Sequence, residues 1–82
     1  MKNTIRTPEE LGQALRRCRK ALDLSQEDLS DMTKHTQSTV SELENGKPGV
    51  KVQTIFDILS VLKLEFKLYS REKNKSNIED VF

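Results

Sequence analysis

Five residues in one short stretch, Thr36, Gln37, Ser38, Ser41 and Glu42, bring together small hydroxyls, a carboxamide and a carboxylate. None stands beside a partner that would make it a nucleophile, so their chemistry is hydrogen bonding: the amide donates and accepts at once, the hydroxyls do either, and the carboxylate accepts. That set suits base edges in the major groove of DNA, where a carboxamide pairs with adenine and a carboxylate accepts from cytosine. Val40 and Leu43, three apart, supply an apolar seat behind them. The stretch 36–46 therefore reads as a helix that presents its N-terminal end to DNA. Thr36 is its cap, and Asn45-Gly46 supplies a residue that tolerates the left-handed conformation where it stops.

Other reactive residue types give no competing chemistry. Cys18 lies on an apolar stripe without a base or a second thiol, and reads as a small core residue. His35 stands in a turn with no carboxylate, cysteine or histidine close in sequence, so it reads as structural or exposed and not as a metal ligand. There is no nucleophile with a base, no metal-spaced set and no glycine-rich phosphate loop, so no catalytic residue, cofactor or metal is expected.

The elements that position the stretch can be read from their ends. Thr7-Pro8-Glu9-Glu10 opens a first helix: Thr7 caps it, Pro8 takes the first helical position, and Glu10 completes a capping box. Leu11, Ala14, Leu15, Cys18 and Leu22 recur at helical spacing as its buried side, and Arg16, Arg19 and Lys20 fall on the other, as a solvated face or as phosphate contacts. Asp23-Leu24 turns the chain into a second helix capped by Ser25, with Leu29 and Met32 inward and Gln26 placed to donate to a phosphate beside the free amides of that helix end. After Lys47-Pro48-Gly49 a fourth helix carries Val52, Ile55, Phe56, Leu59 and Leu62 on one stripe, widened by Ile58 and Val61. An apolar stripe that broad on a short chain predicts packing on something outside the domain, most simply a second copy.

From Leu64 the period changes to two. Leu64, Phe66 and Leu68 point one way and Glu65, Lys67 and Tyr69 the other, which predicts a strand. With only helices around it, that strand needs a partner, and the same strand of a second subunit, paired about a two-fold axis, is the simplest. The expected division is a lead over 1–6, a helix-turn-helix domain over 7–63, a dimerisation strand over 64–71 and a flexible tail over 72–82. The tail ends in Val81-Phe82, and Phe82 is a candidate anchor for a partner's pocket. The fold expected is all-α, with four or five helices and one C-terminal strand pairing across a dimer.

At 82 residues the chain is one domain with a small core. A net charge of +1 excludes a uniformly basic binder, so any positive surface must be local. One cysteine permits no internal disulfide, no apolar run spans a bilayer, and the first residues lead into no signal or transit peptide, which together predict a cytoplasmic protein that makes no membrane contact.

The order Leu24-Ser25-Gln26-Glu27-Asp28-Leu29 followed by Gln37-Ser38-Thr39-Val40-Ser41-Glu42-Leu43-Glu44-Asn45-Gly46-Lys47 closely resembles the helix-turn-helix of the phage-repressor-like (XRE or Cro/C1) family, over about residues 7–62. The resemblance implies base contacts from Thr36, Gln37, Ser38, Ser41 and Glu42. It implies phosphate contacts from Arg19, Ser25, Gln26, Thr39, Asn45 and Lys47. Lys34 stands where the family's turn usually has glycine and His35 where it has an aliphatic residue, so a looser turn is expected. Lead and exit, Ile5 to Leu11 and Leu64 to Leu68, are similar to those of HipB-like antitoxins encoded beside HipA-type kinase toxins. That likeness implies a homodimer with an interface over Ile58, Val61, Leu64, Phe66 and Leu68, binding palindromic double-stranded operator DNA and a HipA-like serine/threonine kinase toxin. A solitary phage-type repressor, and a protein-interaction module with little DNA binding, are the alternatives.

Overall fold

The computed structural model describes residues 4–70 as four helices: α1 Pro8–Ala21, α2 Gln26–Thr33, α3 Gln37–Glu44 and α4 Val52–Val61. Each of the first three begins where a side chain can accept an orphan amide. Thr7 accepts from the Glu10 N–H while Glu10 accepts in return, Ser25 and Asp28 repeat that reciprocal box, and Thr36 accepts from the Thr39 N–H. No side chain caps α4, which starts at Lys51.

Three helices end in the same way. At α1, α3 and α4 the residue after the cap is left-handed, namely Asp23 (φ 58°), Gly46 (φ 75°) and Lys63 (φ 61°). The amides that follow reach back to Arg19 and Lys20, to Glu42 and Leu43, and to Leu59 and Ser60. This is the Schellman arrangement, which normally brings an apolar residue back onto the last turn, and Leu24 and Leu64 both pack on the core. Gly46, not Asn45, is the left-handed residue after α3, since Asn45 has φ −89°.

The core consists of Leu15, Leu29, Val40, Leu43, Ile58, Leu59 and Leu62. α3 packs against α1 and α2, and α4 against α2. Gly12 permits the approach of α1 to the end of α3: a Cβ there would lie 2.5 Å from the Glu44 carbonyl oxygen and closer still to that of Leu43.

Several side chains depart from the sequence pattern, each for a visible reason. Leu22 is half exposed because α1 has already ended at Ala21, so helical spacing no longer places it. Met32 is exposed because the inner line of α2 runs four residues from Leu29 to Thr33, whose hydroxyl donates to the Leu29 carbonyl. On α4 the inner line is Thr54, Ile58 and Leu62, with Leu59 beside it, while Val52 and Phe56 lie outside. An almost continuously apolar helix leaves its inward side to its neighbours. Residues 64–70 form no strand ladder among the described residues. The tail 72–82 and Phe82 lie outside the described residues.

Candidate nucleic-acid interface

The two ends of α3 differ. At its start Thr36, Gln37 and Ser38 are exposed, and the Thr36 hydroxyl accepts from the Thr39 amide at 3.1 Å and meets the Thr39 hydroxyl at 2.9 Å. Thr39 is thus half-buried with its hydroxyl committed to the cap. Gln37 and Ser38 have no side-chain hydrogen bond of this kind and stand over the N-terminal end of the helix, where the backbone dipole favours acceptors such as phosphate and carbonyl oxygens. Ser41 and Glu42, one turn on, are half-buried. Asn45 donates to the Ser41 hydroxyl at 3.3 Å, and Lys47 Nζ lies 3.4 Å from Glu42 Oε2 in an exposed pair. The acid that would repel phosphate therefore has a cation beside it.

The other end of α3 is locked. Glu44 is buried, and its carboxylate accepts from Arg19 Nε at 2.7 Å and Arg19 Nη2 at 3.0 Å, a two-point pairing of planar groups. Gln26 Nε2 donates to the same carboxylate at 3.1 Å, and Arg19 Nη1 donates to the Leu24 carbonyl at 2.7 Å. The hydrogen bonds that Arg19 donates to Glu44 raise the Arg19 pKa against the opposing effect of burial. One network thus ties α1, the α1–α2 turn, the start of α2 and the end of α3.

This corrects the reading of Arg19 as a solvent-facing phosphate contact. Its side chain is 8% exposed and its donors are taken up inside the fold. The signal was present: Arg19 lies four residues after Leu15, and Glu44 four after Val40, so each charge sits on its helix's apolar line. Gln26 is half-buried with its amide nitrogen facing inward to Glu44, and Ser25 is exposed with its hydroxyl accepting from the Asp28 amide at 2.9 Å. Asp28 is held below the usual carboxylate range, chiefly by the Ser25 N–H.

With this geometry, the sequence profile described as Helix-turn-helix matches residues 15–68. The chain belongs to the helix-turn-helix family, in its XRE-type branch. Members of this family are DNA-binding domains, and α2 and α3, joined by the turn over 34–36, are this chain's helix-turn-helix pair. Among solved structures, the chain is similar to HipB in a HipB–O4 20mer complex, at 27% identity and a TM-score of 0.79, over 87% of this chain and 100% of the other. It is equally similar to the matched chain of a HipA–HipB–O2–O3 complex, with the same identity, TM-score and coverage. The restriction-modification controller protein C.AhdI from Aeromonas hydrophila is similar at 33% identity and a TM-score of 0.66, over 71% of this chain and 88% of its own. No match is found among curated protein sequences. No helix among the described residues is long and apolar enough to cross a membrane.

The helix-turn-helix domain leaves an apolar surface open on another side. Phe56 of α4 and Phe66 meet edge to face, with ring centres 5.3 Å apart, and both are about half exposed. Leu68, Tyr69 and Ile5 are also exposed. Of the residues expected at a subunit interface, Ile58 is buried in the chain's own core and is corrected to a core residue. Val61 and Leu64 are half-buried against that core, while Phe66 and Leu68 are open.

Sequence reasoning missed three positions. Gly12 and Glu44 set the α1–α3 approach described above. His35 pairs through Nε2 with Asp57 Oδ2 at 2.8 Å, across 22 residues, a partnership that no local pattern announces.

Proposed function

We propose that this chain is a homodimeric, sequence-specific DNA-binding repressor that controls its own toxin-antitoxin operon and holds a HipA-like serine/threonine kinase. The observation that carries the DNA-reading part is the exposed Thr36-Gln37-Ser38 tip of α3, mounted on an end locked by Glu44. In this reading Gln37 and Ser38 supply most of the sequence choice, with Thr36, Ser41 and Glu42 around them. Ser25, Gln26, Thr39, Asn45 and Lys47 position the domain on phosphates. For Gln26 this requires its amide to leave or share Glu44, or its carbonyl side to take a bridging water.

The second copy occupies the apolar surface around Phe66 and Leu68. Residues 64–70 have no ladder among the described residues, carry alternating apolar side chains, and adjoin the exposed Phe56 ring, which suits pairing with their own equivalent about a two-fold axis. A two-fold dimer places recognition helices roughly 34 Å apart and so reads a palindrome. The kinase partner is supported by the similarity to HipB, solved in a complex with HipA. A second reading, a stand-alone transcriptional controller, is favoured by the 33% identity to C.AhdI.

Recovery of the protein from its native cells, with co-purifying protein and DNA both identified, separates these readings. A kinase together with the chain's own promoter is the outcome expected. The promoter alone would establish the controller reading, and a protein partner without DNA would overturn the DNA-reading role. For the dimer, Phe66→Asp is expected to sediment as a monomer at concentrations where the parent sediments as a dimer. An intact Phe66→Asp dimer would remove the pairing over 64–70.

A further inference from the structure

His35 is the residue at which three helices meet. Its carbonyl accepts from the Ser30 hydroxyl and its N–H donates to Thr33 Oγ1 at 3.4 Å, both on α2. Its ring Nε2 lies 2.8 Å from Asp57 Oδ2 on α4, and Thr36, next in the chain, caps α3. The other oxygen of Asp57 accepts from Gln53 Nε2 at 2.8 Å, one turn back on α4, which fixes the carboxylate's direction. The hydrogen bonds from His35 and Gln53 hold the Asp57 carboxyl below the usual carboxylate range, so it is ionised at neutral pH.

The turn that His35 ends is costly to hold. It passes through Lys34 at φ 62°, a left-handed conformation that a residue with a Cβ adopts at about 1–2 kcal/mol. Beyond it, Thr36, Gln37 and Ser38 are exposed, so no side-chain packing there fixes the direction of the tip. α3 is anchored by Val40 at mid-helix and by Leu43 and Glu44 in its last turn. Ahead of Val40 the entry of α3 is held to α2 only through the His35 backbone, by Ser30 and Thr33. The ring of His35 adds a tie in another direction: it fastens the entry of α3 to α4, a helix that the buried network around Glu44 does not include.

We propose that the His35–Asp57–Gln53 chain is a positioning device for sequence reading: it fixes the start of α3 against α4 and so sets the direction in which Gln37 and Ser38 present their hydrogen-bonding groups. This rests on the reading of α3 as the recognition helix. The carboxylate beside the ring assigns His35 to this role in preference to phosphate contact, because Asp57 would repel the same anion. His35, Asp57 and Gln53 are therefore positioning residues that act through Gln37 and Ser38.

The test uses the full-length chain and two probes: a palindromic duplex selected from random sequence by the parent protein, and a shuffled duplex of the same composition. His35→Ala and Asp57→Ala are each expected to lower the ratio of the two affinities on the order of tenfold, about the value of one base contact, with the shuffled duplex bound as before. The double variant should fall no further than the weaker single variant, and His35→Gln, which keeps a donor toward Asp57, should recover most of the ratio. A ratio unchanged in either single variant, or losses that multiply in the double variant, would overturn the proposal. So would a loss in His35→Ala alone, since the ring would then be touching DNA itself. Amide hydrogen exchange without DNA is a second readout: residues 36–39 should exchange faster in both single variants while α1 is unchanged. Unaltered exchange there would overturn the tie. Should the parent bind both duplexes equally, the base-reading function fails, and the exchange measurement still decides whether the tie holds the start of α3.

Discussion

The two ends of α3 are built to opposite specifications on a helix of only eight residues. The C-terminal end is dry and over-determined, with a buried carboxylate holding three donors and Gly12 letting α1 come close. The N-terminal end is wet and sparsely tied: Thr36 caps the helix, and Gln37 and Ser38 beside it are exposed. The difference teaches where stability and recognition are separable: changes at one end should unfold the domain, and changes at the other should alter what it reads.

The largest expected effect is at the locked end. Glu44→Ala leaves the Arg19 guanidinium buried without its partner, which should cost about 3–5 kcal/mol. A denaturant midpoint unchanged from the parent would show that the pair is not a structural lock. Next is the open end: Gln37→Ala should lose on the order of 1–3 kcal/mol on the cognate duplex with an unaltered thermal midpoint. Equal loss on cognate and random DNA would erase the contrast between the ends, since Gln37 would then be a backbone contact. Smaller still is Lys34→Gly, which relieves the left-handed turn and should raise stability by up to about 1 kcal/mol; chemical denaturation measures it.

Acidification gives the smallest and most diffuse effect. Asp28 and Asp57 both have pKa values depressed by hydrogen bonds in the folded chain. A depressed carboxylate contributes stability that is fully present above its unfolded pKa, near 3.9, and is lost as pH falls through the folded value. The domain should therefore hold its stability down to about pH 5 and lose it below about pH 4, and Asp28→Asn or Asp57→Asn should flatten that decline. A decline that is identical in both variants would show that other carboxylates carry it.

What the sequence disclosed and what it withheld divide along the same physical line. The caps at Thr7, Ser25 and Thr36, the turn at Asp23 and the stop at Gly46 were legible, because each depends on residues within a few positions. The exposed tip of α3 followed from that local frame together with Val40 and Leu43. The pairings Arg19 with Glu44 and His35 with Asp57 span 25 and 22 residues, and helical periodicity carries no information about which charge meets which. α4 shows the remaining limit: apolar residues nearly all round make its existence plain and its inward side ambiguous, so the sequence places Ile58 at a subunit interface, whereas the structure buries it and leaves Phe56 half exposed. The alternation over 64–70 marks a segment that differs in kind from the helices, and among the described residues no neighbour forms a ladder with it.

The exposed Lys47–Glu42 pair bears on how ionic strength governs binding. Each phosphate neutralised by a free cation releases condensed counterions and adds about 0.9 to the slope of log affinity against log salt. In the proposed role of Lys47 as a phosphate contact, its pairing with Glu42 would make it contribute less to that slope than a lone lysine. Arg19, neutralised inside the fold by Glu44, adds nothing to the slope either, which leaves it to exposed cations such as Arg16, Arg17, Lys20 and Lys34. Each cation so paired within the fold moves the balance of affinity away from counterion release and toward the hydrogen bonds at the tip of α3.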